Sequence, residues 1–291
     1  MKDNEILKFP LREELINLLQ EELPLHSVYV ISFSSEIKRQ EIFLTPKCNS
    51  KNEMFTYTLL IIGFKSPSKN LSEFMEELYV KTKQGCRVNI IFHTLSNIKE
   101  RIEIGDNFLT RIISQTPCMY KMDNALYRFS RIKLFFHSSI YKRIKKEWKS
   151  RIHRADYLLA VVNTNDEKKD ANSKLAVMHF ALEQVCLSLL LIFWEYKPHF
   201  YSLSYLMQLC SHFTELPNKV FPKTTFGLQR QFYMLCNAQH ILRFKVTNEF
   251  SNKDADKVYK LCLRFYKESK ILGKIKLEQL KKLHHPEAVH N

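Results

Sequence analysis

The sequence predicts an α+β architecture, with a small mixed sheet and its helices first and an all-helical bundle second. Three observations predict it. Apolar, β-branched runs of strand length alternate with helical patterns over residues 1–120. From about residue 135 the apolar period is three or four throughout, and no strand pattern recurs. At 291 residues, 45% of them apolar, the chain suits two domains, each with a core of its own. The expected bounds are 1–134 for the α/β part, 135–273 for the bundle and 274–291 for a flexible basic and polar tail.

The elements follow in order. Residues 10–22 (PLREELINLLQEE) read as a helix that Pro10 can open, with Leu11, Ile16, Leu18 and Leu19 as its apolar positions. SVYVISF (27–33) reads as a strand, EIFLT (41–45) as a second, and PKCNSKN (46–52) as turn chemistry. FTYTLLIIGF (55–64) is the strongest strand pattern, and its continuous apolar second half suits a strand covered on both faces. A helix is expected over 71–84, with Gly85 as its C-terminal cap. RVNIIFH (87–93) reads as a buried strand, and 96–115 as two short helices broken near Gly105.

In the second part, Ile140, Ile144, Trp148, Ile152, Ala155, Leu159 and Val162 make one apolar stripe about six turns long. Residues 163–173 read as a polar loop. A helix over 173–196 is apolar nearly all round in its second half, so it should be central. Its polar residues (His179, Glu183, Gln184 and Ser188) favour a buried helix over a membrane span. A short helix is expected over 202–213, a loop bracketed by Pro217 and Pro222, then helices over 225–243 and 253–272. The bundle is expected to hold about five antiparallel helices.

Composition excludes several function classes. The five glycines (Gly63, Gly85, Gly105, Gly227 and Gly273) lie far apart, which rules out P-loop and dinucleotide fingerprints. The seven cysteines are widely spaced, with no zinc-type pair and no disulfide framework. They are expected to be reduced thiols of a cytoplasmic protein. Residues 1–10 are charged and carry no apolar leader pattern. His284, His285 and His290 lack ligand partners at a useful spacing. No metal or cofactor is expected.

The net charge is +15, and residues 131–154 hold nine Lys or Arg against one acid, Glu147. Lys142, Arg143, Lys145, Lys146, Lys149, Arg151 and Arg154, with Tyr141 and Trp148 nearby, form a candidate face for phosphate backbones, RNA ahead of DNA. A solvated helix face reads the same way in sequence.

Two family resemblances extend these readings. Over residues 25–95 the order of elements resembles nucleotidyltransferases of the DNA polymerase β type. That family has a hydrophobic-Gly-Ser turn, then an Asp-x-Asp pair and a third Asp that hold two Mg²⁺ ions. The matching places here are Phe33-Ser34-Ser35, Thr56-Tyr57-Thr58 and Asn89. No carboxylate stands at any of them, so the resemblance implies a degenerate domain without nucleotidyl transfer.

Residues 173–270 resemble the HEPN family. The carrying features are His179-x-x-x-Glu183 on an apolar helix, Pro198, then Leu203 and Leu206, and a closing segment with Arg243-Phe244. His179 and Glu183 lie four apart on one helical face, as a structural polar pair or as ligand contacts. Many HEPN proteins are metal-independent ribonucleases with Arg four to six residues before His. No His follows Arg243 or Arg230 at that distance, and the Arg131–His137 spacing lies outside the bundle core. His179, Glu183 and Arg243 are the catalytic candidates that remain. The resemblance implies a non-catalytic or weakly catalytic protein associated with RNA or a nucleotide. It further implies a bacterial defence, stress or toxin–antitoxin setting, and a homodimer through the helices. The alternatives are an active ribonuclease or nucleotidyltransferase with displaced motifs, and a protein-interaction or DNA-binding regulatory module.

Overall fold

The computed structural model describes residues 9–40, 50–164 and 170–285, and it divides into two compact units, Met1–Phe135 and Phe136–Asn291. In the first unit the elements are α1 (Arg12–Glu22), β1 (Leu25–Gln40), β2 (Ser50–Gly63), α2 (Leu71–Lys81), β3 (Cys86–Thr94), α3 (Leu95–Glu103), α4 (Asn107–Gln115) and β4 (Cys118–Lys121), followed by a 3-10 turn at Tyr127–Arg131. The sheet order is β3-β2-β1-β4. β1 is antiparallel to both β2 and β4, and β2 is parallel to β3, so the sheet is mixed.

The apolar run of β2 is continuous because both faces of that strand are covered. Tyr57, Leu59 and Ile61 join Val28 and Val30 of β1, Val88 and Ile90 of β3, Leu15 and Leu19 of α1, and Phe74 and Leu78 of α2 in one buried cluster. The alternate residues Leu60 and Ile62 are equally buried, on the face that α3 and α4 cover. Fully burying one such side chain is worth roughly 1.5–3 kcal/mol, so two-sided cover is the dominant local term.

Several boundaries differ from the sequence reading. α1 begins at Arg12, because Leu11 takes a left-handed backbone (φ 56) and Pro10 stays outside the helix. α2 ends at Lys81, and the reversal assigned to Gly85 is made by Lys83 (φ 53) and Gln84 (φ 61). Gly85 does not have a positive φ; a Cβ there would sit 3.1 Å from the carbonyl oxygen of Thr82. Gly105 does break α3 from α4, with φ 89, and Asp106 caps α4 through a bond from Leu109 N while pairing with Arg101. β1 and β2 are longer than expected. Of the expected strand at 41–45 and turn at 46–52, residues 41–49 lie outside the described residues, and Ser50–Asn52 are paired strand backbone. β4 has only four residues and no alternating pattern, and the sequence reading missed it.

The second unit comprises α5 (Ser138–Thr164), α6 (Ala171–Trp194), α7 (Leu203–Cys210), α8 (Leu216–Val220), α9 (Phe226–Cys236), α10 (Ala238–Phe244) and α11 (Asn252–His284). α6 has a hydropathy of 2.0 over its most apolar stretch, long and apolar enough to cross a membrane by composition, yet most of it is buried against α5, α7, α9, α10 and α11. Asp170 caps it by accepting from Asn172 N and Ser173 N. Cys186, Cys210 and Cys262 are buried and Cys236 is half-buried.

Three expectations for this unit are corrected. The segment between Pro217 and Pro222 is helical in α8, because Pro217 stands in the first turn of a helix, where its missing N–H costs nothing. The helix expected over 225–243 is two, α9 and α10, parted at Asn237. The flexible tail expected from residue 274 is instead the last third of α11 as far as His284, with Leu277, Leu280 and His284 buried. Here a three-to-four apolar period continues beneath the lysines, and His284 Nδ1 accepts from His137 N at 3.1 Å.

Gly273 lets α11 close on α5. A Cβ at this position would stand 2.8 Å from Nε1 and 2.9 Å from Cζ2 of the buried Trp148 ring. Gly273→Ala therefore opposes a helix-propensity gain of about 1 kcal/mol with an overpacking cost of about 1–3 kcal/mol. The ring is rigid and enclosed, so the cost wins. A urea titration of Gly273→Ala should give a lower midpoint than wild type, and an unchanged or raised midpoint would show that the helices can part freely.

Candidate nucleic-acid interface

In the first unit the sheet gathers most of the places that resemble nucleotidyltransferase positions. Ser34 pairs with Thr56 across β1 and β2, and Thr58 pairs with Asn89 across β2 and β3. Alternation puts Ser34, Thr56, Thr58 and Asn89 on one face, with Arg87 opposite Thr56. Ser35 pairs with Phe55 and points to the other face. Thr58 is fully buried, and the Asn89 amide reaches Tyr57 O at 3.5 Å. Arg87 lies over the Tyr79 ring at 5.1 Å. The floor is thus neutral hydroxyls and an amide, without the negative charge that Mg²⁺ requires, and the Arg87 guanidinium is drawn to the Tyr79 ring of α2. Among the described residues no group of three or more His, Cys, Asp or Glu is placed to hold a metal ion.

In the second unit the catalytic candidates separate. His179 is buried on α6, and its Nδ1 meets Leu235 O at 2.8 Å. A carbonyl only accepts, so Nδ1 carries the proton and the neutral ring ties α9 to α6. Burial holds the His179 pKa below its ordinary value, against the smaller upward pull of that bond. Glu183 is half-buried and does not hydrogen-bond to His179. Burial pushes its carboxyl up, while Arg151 and the Gln184 amide pull it down. Arg243 is exposed in the last turn of α10. Arg131 donates to Tyr127 Oη, and the His137 ring bonds to Ser139 Oγ.

The basic window forms the first half of α5. Tyr141, Ile144, Trp148, Ile152 and Ala155 are its buried stripe. At about 100° per residue, Lys142, Lys145, Lys146 and Lys149 fall within an arc of about 100° on the other side, with Arg143 and Arg154 beside them. Lys142, Arg143, Lys146, Lys149 and Arg154 are exposed, and Lys145 is half-buried over the Tyr141 ring at 5.6 Å. Arg151 differs: it pairs with Glu147 at 3.1 Å and donates to Gln184, so it belongs to the packing of α5 on α6.

Glu147, the single acid of the window, is already spent. Burial pushes its carboxyl up, but Lys197 and Arg151 more than offset that and leave it below the usual carboxylate range. Lys197 is distant in sequence, so no pattern within the window announces this neutralisation. Tyr157 adds an exposed ring on the same side of the helix, and the sequence reading did not single it out.

Comparison with known proteins adds little to this geometry. No family model matches the chain, and no curated protein matches it. Among solved structures, a nucleotidyltransferase-like protein from Exiguobacterium sibiricum 255-15 aligns over 95% of this chain and 77% of its own, at 10% identity and a TM-score of 0.26. Similarity at that level carries no argument about fold or site.

The depressed His179 pKa has a definite sign in stability. Between the ordinary histidine value of about 6.5 and the lower folded value, the unfolded chain binds a proton that the folded chain does not. Stability contributed by the neutral ring is present above pH about 6.5 and lost as pH falls. Denaturant titrations of wild type and His179→Gln should therefore converge as pH falls from about 7 to 5.5. A stability difference independent of pH would remove the neutral, structural role.

Proposed function

We propose that this chain is a non-catalytic RNA-associated protein that engages the phosphate backbone through the exposed face of α5. The observation that carries this reading is the set of five exposed cations, Lys142, Arg143, Lys146, Lys149 and Arg154, beside a neutralised Glu147. An uncompensated row of this kind raises the local potential and attracts a polyanion. Two features support the absence of catalysis. The sheet offers hydroxyls and an amide where nucleotidyl transfer needs carboxylates. His179, fixed and neutral against Leu235 O, is not paired with an arginine for phosphate chemistry. The bacterial defence or toxin–antitoxin setting and the homodimer are supported by the resemblance of residues 173–270 to HEPN proteins alone.

Fluorescence anisotropy with a labelled single-stranded RNA tests the reading directly. Neutralising about five phosphates predicts a log–log salt slope of about −3.5, from about −0.7 per phosphate on a single strand. Reversing Lys142, Lys145, Lys146 and Lys149 to Glu should weaken binding more than tenfold and flatten that slope, with the circular-dichroism melt retained. No binding at low salt, or binding indifferent to the reversal, would leave this face a solvated surface. A preference for a duplex of defined sequence would favour a DNA-binding regulator.

A further inference from the structure

A second surface of the helical unit has the chemistry to take bases rather than phosphates. α9 and α10 follow one another at Asn237, whose N–H closes the last turn of α9 on Tyr233 O at 3.0 Å and whose carbonyl accepts the first bond of α10 from Ile241 N at 2.9 Å. Steps of four and three put Phe226, Arg230 and Tyr233 on one side of α9, and a step of four puts His240 and Phe244 on one side of α10. Met234 and Leu235 anchor α9 in the bundle, and Ala238 and Ile241 anchor α10.

The rings on that side are left bare. Phe226 is 81% exposed, Tyr233 53% and Phe244 62%. The His240 ring lies 4.7 Å from the Phe244 ring, so the two form one aromatic surface. Three platforms result, at Phe226, Tyr233 and His240–Phe244, the first two about 10 Å apart along the seven residues of α9 that separate them. Aromatic rings are among the most favourable groups to bury, and a row of them in water marks a surface with a partner.

Charge selects the partner. From Leu216 to Val246 the chain contains Lys219, Lys223, Arg230, Arg243 and Lys245, and no Asp or Glu. Lys219 and Arg230 are paired with Glu268 and Asp254, and Lys223 lies over the Phe232 ring. Arg243 and Lys245 are exposed and form no ion pair among the described residues. A second copy of the chain would bring the same cations against themselves. An anionic chain with planar faces meets both requirements, and a single-stranded nucleic acid is that chain.

We propose that the outer side of α9–α10 is a stacking strip for single-stranded RNA, on which Phe226, Tyr233 and Phe244 stack bases while Arg243 and Lys245 neutralise phosphates. The proposal deepens the RNA reading and rests on it, but uses residues separate from the α5 face. It makes the ligand single-stranded, because the faces of paired bases are already stacked and closed to a ring from outside.

The test uses the full-length chain. Phe226→Ala, Tyr233→Ala and Phe244→Ala are exposed changes, and each is measured by anisotropy against a labelled fifteen-nucleotide single strand and a duplex of the same composition. In parallel, a strand carrying 5-iodouridine is photocrosslinked to wild type and the attachment sites are mapped by mass spectrometry. Each ring lost should weaken single-strand binding at least about fivefold with duplex affinity unchanged, and crosslinks should fall between Phe226 and Phe244. Crosslinks on α5 alone, with ring variants at wild-type affinity, would overturn the strip and leave the α5 reading standing. Ring variants that weaken binding while α5 charge reversal does nothing would support the strip and remove the α5 reading. An absence of single-strand binding in wild type would overturn both. Ring variants that convert a sedimenting dimer to a monomer would make the surface a contact between copies and overturn the proposal.

Discussion

The second half of helix α6 cannot be left bare on any side, and the second unit is organised around that constraint. Leu189, Leu190, Leu191 and Ile192 are consecutive and all buried, so no orientation of the helix gives it a solvent face along that stretch. At roughly 1.5–3 kcal/mol for each buried side chain, exposing even one flank would remove a large part of a typical stability margin of about 5–15 kcal/mol. Five other helices close around it. Even the polar Ser188 turns its hydroxyl back onto Val185 O, and His179 donates its Nδ1–H hydrogen bond to Leu235 O. Both bonds satisfy a buried polar group and leave it little freedom for other chemistry.

Charge is displaced to the outside by the same requirement. α5 and α11 spend one face on α6 and on each other, and their lysines and arginines collect opposite that face. The closeness of the α5–α11 contact depends on a missing Cβ at Gly273, where the Trp148 ring takes the space. Because α5 is held by Tyr141, Ile144, Trp148 and Ile152, its cationic side is presented by a fixed scaffold rather than a loose tail. A preorganised row of charge needs little ordering when it meets a polyanion.

The sheet of the first unit makes a complementary point. Its strands bring Ser34, Thr56, Thr58 and Asn89 to one face in adjacent register, and the side chains there carry no negative charge. Placement and chemistry are separable. The register follows from backbone pairing and from the apolar alternation on either side of it, whatever polar side chain stands at these places. Those residues could be named from the sequence, but Arg87 could not, since only the parallel pairing of β2 with β3 sets it opposite Thr56.

Periodicity and composition were enough to reveal the α+β class, the two-faced burial of β2, the break at Gly105, the central place of α6 and the basic face of α5. Each of these is a local property, readable from spacing along one element. What depended on contacts distant in sequence was not legible. α11 runs on through Lys274 to His284 because Trp148, more than a hundred residues earlier, accepts its glycine and the backbone of His137 meets His284. Glu147 is neutralised by Lys197, Arg151 is drawn into packing by Gln184, and His179 is tied down by Leu235. Whether a charged or ionisable side chain is free to act is set by the partner that folding brings to it, and that partner has no fixed spacing in the chain.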